Sequence, residues 1–525
     1  MRRTPLTVLA VCIAFAIAGA QQSAPRPAAL PAAIAESVAA AMKTFEVPGL
    51  ALTIVKDGDV VLARGFGVKT LGKPGDVDAG TRFGIASNTK AFTATALGLL
   101  VEEGKMQWDA PVQRYLPWFQ MSDSYVTREM TVRDLLVHRS GLGLGAGDLL
   151  WWPESTYNRD EIARRIRFLP LATSFRSAYA YDNVLYLVAG KIIEEVSGLS
   201  WEDFVSTRIL AKVGMSGSTV RHSAALAAGN IATPHARVEG TVRPIAPFGS
   251  DNTNPAGGIN SSAADMAKWM IVQLARGTLP DGTRLFSEAT AQELTTLVTP
   301  MPNPDPPSEI AAARSDFRGY ALGFEVRDYR GHKIVTHTGG LPGYLSKVTM
   351  VPDLRLGVAV LTNQESGEAF NAITFTALDR FLHAPAVDWV TAFKTVRDTL
   401  ASENAAAVGT TTEARDRSSR PSLPLEKYAG VYRDAWYGDV AITHAHGRLA
   451  IRFTKTPSLV GDLEHWQHDT FVARWRDREL RADAFITFAL NPDGSIDQAK
   501  MRAVSPETDF SFDFQDLLLE PVREP

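Results

Sequence analysis

The chain is 525 residues long, 45% hydrophobic and 21% charged, a composition typical of soluble globular proteins, with length enough for two or more domains. Lys and Arg number 54 against 58 Asp and Glu, a net charge of −4 with no long run of one sign, so nucleic-acid binding is unsupported. The single cysteine, Cys12, lies in an amino-terminal apolar stretch that reads as removable, which leaves no disulfide, thiol nucleophile or cysteine metal site.

In chain order, Arg2 and Arg3, the apolar stretch Leu6 to Ala18 and Ala18-Gly19-Ala20 read as a secretory signal over 1–20. That predicts a periplasmic or secreted protein with no membrane span kept after processing; an uncleaved anchor is the lesser alternative. Residues 21–31, rich in Ala, Pro and Gln, read as a flexible lead-in. A helix follows over Ala33 to Phe45, then a hairpin of Gly49 to Val55 and Asp59 to Val68 about an Asp-Gly turn. Phe370 to Leu382 reads as an amphipathic helix closing a domain over 32–384, and Val387 to Ala401 as a second, exposed helix. Gly409 to Pro424, polar and poor in apolar residues, reads as a linker within a connector over 385–424.

Over 425–525 short strands alternate with turns: Gly430 to Tyr432, Gly438 to Thr443, Leu449 to Phe453, Thr470 to Ala473, Ala484 to Ala489, Gln498 to Val504 and Phe510 to Phe514. A small antiparallel barrel fits this pattern. Phe510, Phe512 and Phe514 alternate, which would put three rings on one face of the last strand.

The chemistry concentrates in three short motifs. In Ser87-Asn88-Thr89-Lys90 an apolar segment, Phe83 to Ala86, runs into the helical stretch Ala91 to Glu103, so a hydroxyl and an amine three residues apart share one helix face. A lysine among Ala, Phe, Leu and Gly side chains loses the water that stabilises its ammonium form, and a partly neutral amine can take the serine proton. Taken alone, the pattern also fits a helix cap and a solvated charge. Downstream lie Tyr181-Asp182-Asn183 and His337-Thr338-Gly339-Gly340, the latter followed by strand-like runs Lys347 to Pro352 and Leu356 to Leu361. His444 and His446 share a strand face and His465 and His468 lie nearby; solvated or core histidines are the favoured reading there over a metal site.

These motifs, with Thr131 to Leu142, Gly257 to Met266 and Tyr320 to Phe324, resemble the serine β-lactamase and penicillin-binding protein superfamily. The likeness is closest to the class C branch with its D-alanyl-D-alanine carboxypeptidases, D-aminopeptidases and esterases. The resemblance implies an α/β (α+β) fold, an antiparallel sheet flanked by helices plus an all-helical subdomain. Leu425 to Tyr437 with Leu463 to Trp466 resembles the lipocalin-like domain often appended to this family.

Ser87 is the expected nucleophile and Lys90 the group that holds or relays its proton. The resemblance gives Tyr181 as an alternative general base and Asn183 as the residue orienting the substrate amide and the lysine. It also implies an oxyanion hole of the Ser87 and Gly340 backbone N–H groups, with Thr338 beside it and Gly339 and Gly340 letting substrate approach closely. His337 stands where the β-lactamases carry a carboxylate-binding lysine, which argues for peptidase or esterase action over efficient β-lactam destruction. His138 reads as structural. No metal or organic cofactor is required, the partner is a small-molecule or peptide substrate read by loops Gly141 to Ser174 and Arg221 to Thr253, and oligomerisation is left open. The rival reading is a non-hydrolytic penicillin-sensing or ligand-binding protein that keeps the fold.

Overall fold

The computed structural model describes residues 31–523, so the signal over 1–20 and nearly all of the lead-in lie outside the described residues. The first helix, α1 (Ala32–Phe45), precedes the hairpin β1 (Gly49–Lys56) and β2 (Asp59–Gly67). Further along come α2 (Lys90–Glu102), α3 (Val184–Ser197) and α4 (Ala263–Leu274). Six more strands complete the sheet: β3 (Thr299–Pro300), β4 (Arg318–Tyr320), β5 (Glu325–Tyr329), β6 (His332–Leu341), β7 (Tyr344–Val351) and β8 (Leu356–Thr362). Their order is β2-β1-β8-β7-β6-β5-β4-β3, antiparallel throughout, so the first hairpin docks on the last strand and closes a long chain excursion.

Both faces of this sheet are covered, which is why its central strands are apolar without alternation. Leu50, Leu52 and Ile54 of β1 pack under α1 and the returning helix α5 (Gly367–Phe381), whereas Ala51 and Val55 face the opposite core beneath α4. Beyond α4 lies α2, buried from Lys90 to Leu100, with Phe92 stacked on Trp269 at 3.8 Å. A helix buried on all sides can hold a lysine away from water.

The next helix, α6 (Trp389–Glu413), is longer than the sequence suggests and consumes the first residues of the expected linker. Ala405 to Ala407 sustain the helix, and the half-buried Gly409 costs only about 1 kcal/mol. The carboxyl-terminal strands are β9 (Gly430–Asp434), β10 (Gly438–Ala445), β11 (Arg448–Phe453), β12 (Val460–Gln467), β13 (Thr470–Trp475), β14 (Ala484–Leu490), β15 (Ile496–Ala503) and β16 (Glu520–Pro521). They pair antiparallel in sequence, β16 joins β9, and Ala499 and Leu519 exchange backbone bonds of 2.8 and 3.0 Å that close the barrel.

One expected strand is absent: Phe510 to Phe514 is a chain of turns. Asp509 accepts from Ser511 N–H at 2.9 Å, and local carboxylate bonds of this kind compete with a ladder. Phe512 and Phe514 turn into the core, while Phe510 is 43% exposed and leaves the barrel altogether. No helix of the described residues is long and apolar enough to cross a membrane.

Candidate active site

Ser87 sits in a short turn of 3₁₀ helix, Ala86–Thr89, that leads straight into α2. The turn is clamped from two sides. Phe83 and Gly84 pair with Ser261 and Asn260, Thr89 Oγ1 accepts from Ile259 N–H at 3.1 Å, and Ser346 Oγ on β7 donates to the Ile85 carbonyl at 2.8 Å. Ala86 takes φ +48, a left-handed conformation that costs an L residue roughly 1–2 kcal/mol and is kept because the clamp over-determines it. Ser87 does not cap the helix: neither the turn nor α2 has a side-chain cap.

Its hydroxyl meets Lys90 instead. Lys90 Nζ lies 3.0 Å from Ser87 Oγ, 2.7 Å from Asn183 Oδ1 and 3.1 Å from the Ala256 carbonyl. Its side chain is fully buried, with the ammonium 4.8 and 5.1 Å from the ring centres of Tyr181 and Tyr186. Burial pulls its pKa down to about 7, against the partial opposition of Asp148 and Asp182. Three acceptors satisfy an ammonium. A neutral amine still donates to Asn183 and Ala256, and its lone pair then faces the Ser87 hydroxyl.

Burial holds the pKa of Tyr181 well above the ordinary tyrosine value, and the neighbouring Ser87 side chain offsets this only in part. Tyr181 therefore stays a phenol near neutral pH and is suited to donate rather than to take a proton. Asn183, at the start of α3, gives its side chain to the site instead of to the helix: Oδ1 faces Lys90 and Nδ2 donates to Asp148 Oδ2 at 2.8 Å.

The third motif divides by strand alternation. Thr338 and Gly340 are exposed, while His337 and Gly339 are buried. Gly340 N–H and the partnerless N–H groups at the start of the Ser87 turn are the available oxyanion donors. Gly339 serves packing rather than substrate approach: a Cβ there would stand 2.2 Å from the Ile85 carbonyl oxygen. His337 borders the cleft with both nitrogens engaged. Its Nδ1–H donates to the Thr338 carbonyl, which fixes Nε2 as the acceptor of the Tyr320 hydroxyl at 2.6 Å. Burial lowers its pKa to about 3, so the ring is neutral. Arg318 reaches the same cleft but is tied to Glu325 by bonds of 2.8 and 2.9 Å.

Several residues were not predicted. Tyr320 lies in a recognised motif yet shows its role only through His337. Asp148, from the loop Gly141 to Ser174, is fully buried and accepts from Trp151 Nε1, Asn183 and Ser511, and burial pushes it up to about 7. Ser511, Asp509 and Phe510 bring the barrel into the cleft, with Phe510 edge-on to Tyr181 at 6.2 Å. Asp513, also buried, anchors this segment by accepting from Gly147 and Leu149 N–H at 2.6 and 3.0 Å. His138 packs 4.2 Å from the Tyr181 ring and accepts from Asp182 N–H at 3.2 Å, a supporting position. His465 Nε2 meets the His468 carbonyl, and among the described residues no three His, Cys, Asp or Glu side chains converge as metal ligands would.

A serine beside a fully buried lysine, with a tyrosine, an asparagine and a glycine-bearing strand, is the arrangement of the β-lactamase fold, and residues 34–381 match the beta-lactamase family model: the chain belongs to that family. Residues 414–521 match a domain of unknown function, DUF3471. The unguisins hydrolase of Aspergillus violaceofuscus is 28% identical over 491 residues, 87% of this chain and 85% of that protein. Penicillin-binding protein 4 of Amycolatopsis lactamdurans is 30% identical over 355 residues, 64% of this chain and 85% of its own. Among solved structures, the octameric penicillin-binding protein homologue from Pyrococcus abyssi superposes with a TM-score of 0.59 at 22% identity, covering 93% of this chain and 98% of that one. The D-amino acid amidase from Ochrobactrum anthropi SV3 gives 0.56 at 20% identity, over 66% of this chain and 99% of that one. At such identities these structures share the fold.

Proposed function

We propose that this protein is a serine hydrolase that forms an acyl-enzyme on Ser87 and cleaves amide or ester bonds, acting as a D-peptidase or esterase rather than an efficient β-lactamase. The observation that carries the reading is the Lys90 amine, buried, drawn toward neutrality and 3.0 Å from Ser87 Oγ. Neutral Lys90 takes the hydroxyl proton as Oγ attacks the carbonyl carbon, and the resulting oxyanion is received by the Ser87 and Gly340 N–H groups. The leaving nitrogen or oxygen takes its proton from Lys90 or the Tyr181 phenol, and water reverses the sequence to release the acid.

The bias against β-lactams rests on His337. A neutral ring whose nitrogens are both engaged offers no cation to a carboxylate, and Arg318 beside it is neutralised by Glu325. The relatives named for hydrolase and amidase activity support the hydrolytic class, and the signal-like residues 1–20 support work outside the cytoplasm. A panel of D-alanyl peptides, p-nitrophenyl esters and nitrocefin, each run against Ser87→Ala, tests the reading. Ester or D-peptide turnover that vanishes in the variant supports it; turnover unchanged in Ser87→Ala, or nitrocefin as the best substrate, contradicts it.

A further inference from the structure

A second cavity, of about 520 Å³, opens from the cleft at Gly340 between the sheet domain and the barrel. Trp152, Gly340 and Asp509 line both, so the cavity adjoins the cleft that holds Ser87. Its volume is ordinary for a small-ligand site, about 300–1,000 Å³. Phe248, Leu341 and Leu345 on one side and Leu480 and Phe512 of the barrel on the other make it apolar.

Its rim is acidic. Glu154, Glu365, Asp477, Glu479, Glu507 and Asp509 stand there against a single Arg481. Arg481 is spent on Glu365, and Glu479 on Arg243. Among the described residues no basic side chain pairs with the other four carboxylates. Burial, with Glu365 adding to it, already raises the Asp509 carboxyl. Unpaired like charges crowded at one mouth are relieved by a bound cation.

The acyl group is the part of a substrate that stays on Ser87, and the strand that offers Gly340 N–H continues through Leu341 and Pro342 along the cavity wall. An acyl chain laid along this strand runs into the cavity. We propose that the cavity is the acyl-side subsite, that it takes an extended apolar chain ending in a cationic group, and that the barrel exists in part to build it. This rests on acyl transfer at Ser87.

Four p-nitrophenyl esters test it in the full chain: acetyl, octanoyl, and octanoyl ended by trimethylammonium or by carboxylate. Burial gains up to about fourfold per methylene, so the cation-ended ester is expected to exceed acetyl by at least about tenfold in kcat/KM, with the carboxylate-ended one lowest of the long chains. Leu480→Trp, which narrows the cavity, is expected to lower octanoyl turnover at least about tenfold more than acetyl. Asp477→Asn with Glu507→Gln, both surface changes, is expected to shrink the ratio of cation-ended to carboxylate-ended turnover. Equal kcat/KM for all four esters, equal loss of acetyl and octanoyl turnover in Leu480→Trp, or an unchanged charge ratio in the double variant overturns the subsite while leaving the acyl-enzyme standing. Absence of turnover of every ester overturns acyl transfer instead, and calorimetry of octyltrimethylammonium on Ser87→Ala then decides the cavity. One saturable site weakened by Leu480→Trp supports it; no saturable binding overturns it.

Discussion

Ser511 of the barrel donates to Asp148 Oδ2 over 2.9 Å, across 363 residues of sequence. The same oxygen accepts from Asn183, and Asn183 accepts from Lys90, so a barrel hydroxyl is linked by hydrogen bonds to the amine beside the Ser87 hydroxyl. Electrostatic control of Lys90 is therefore shared between two parts of the chain.

The acidic limb of kcat/KM should reflect this. Lys90 must be neutral to act, so activity rises with pH through about 7. Asp148 raises the Lys90 pKa, and Asp148→Asn removes that charge. The limb is expected to move to lower pH in the variant, with kcat reduced because Asn183 loses an acceptor. A pH–rate profile showing the limb moved upward would contradict the assignment of Lys90 as base.

Stability carries the opposite signature at Asp182. Burial raises this carboxyl from 3.8 to about 7, so the folded chain holds a proton that the unfolded chain gives up. Its contribution is fully present below 3.8 and is lost as pH rises through about 7. Asp182→Asn should flatten the fall in Tm between about pH 4 and pH 7, measured by calorimetry.

Two adjacent glycines should differ sharply. A Cβ at Gly339 meets a backbone oxygen at 2.2 Å, whereas at Gly340 it meets only the mobile end of Leu345 at 3.2 Å. Gly339→Ala must push β6 from the Ser87 turn, and is expected to cost several kcal/mol, on the order of 3, with loss of activity. Gly340→Ala is expected to cost about 1 kcal/mol or less in Tm-derived stability. Equal stability losses would show that the Ile85 carbonyl does not pin the strand.

Asp513 anchors the barrel segment in the cleft by accepting two backbone N–H bonds. Asp513→Ala leaves both donors buried and unpaired, at about 1–3 kcal/mol each. Thermal unfolding should report that loss, and ester hydrolysis should show KM rising more than kcat falls, because Phe510 and Asp509 lose their seat.

What was legible in the sequence was local. Ser87 and Lys90 are three residues apart on one helix, and Tyr181 and Asn183 flank a single residue, so their proximity follows from backbone geometry. Ser511 and Asp513 reach Asp148, Gly147 and Leu149 across more than 360 residues, and nothing in their spacing signals it. The phenylalanines at 510, 512 and 514 carry a strand-like period, but the intervening polar side chains bond backbone N–H groups or the other domain, and those bonds override the period. Gly339 and Gly340 look alike in sequence; only the approach of Ile85 separates them. His337 was legible as a lost cation, while its lock onto Tyr320 was not.

The most direct measurement is intact-mass spectrometry of the full chain incubated with a fluorophosphonate, followed by peptide mapping. The account predicts a single adduct on Ser87, absent in Ser87→Ala, whose rate of formation rises with pH through about 7 and falls at least about a hundredfold in Lys90→Met. An intact, folded protein that forms no adduct, or one that is labelled equally well in Ser87→Ala, would contradict it.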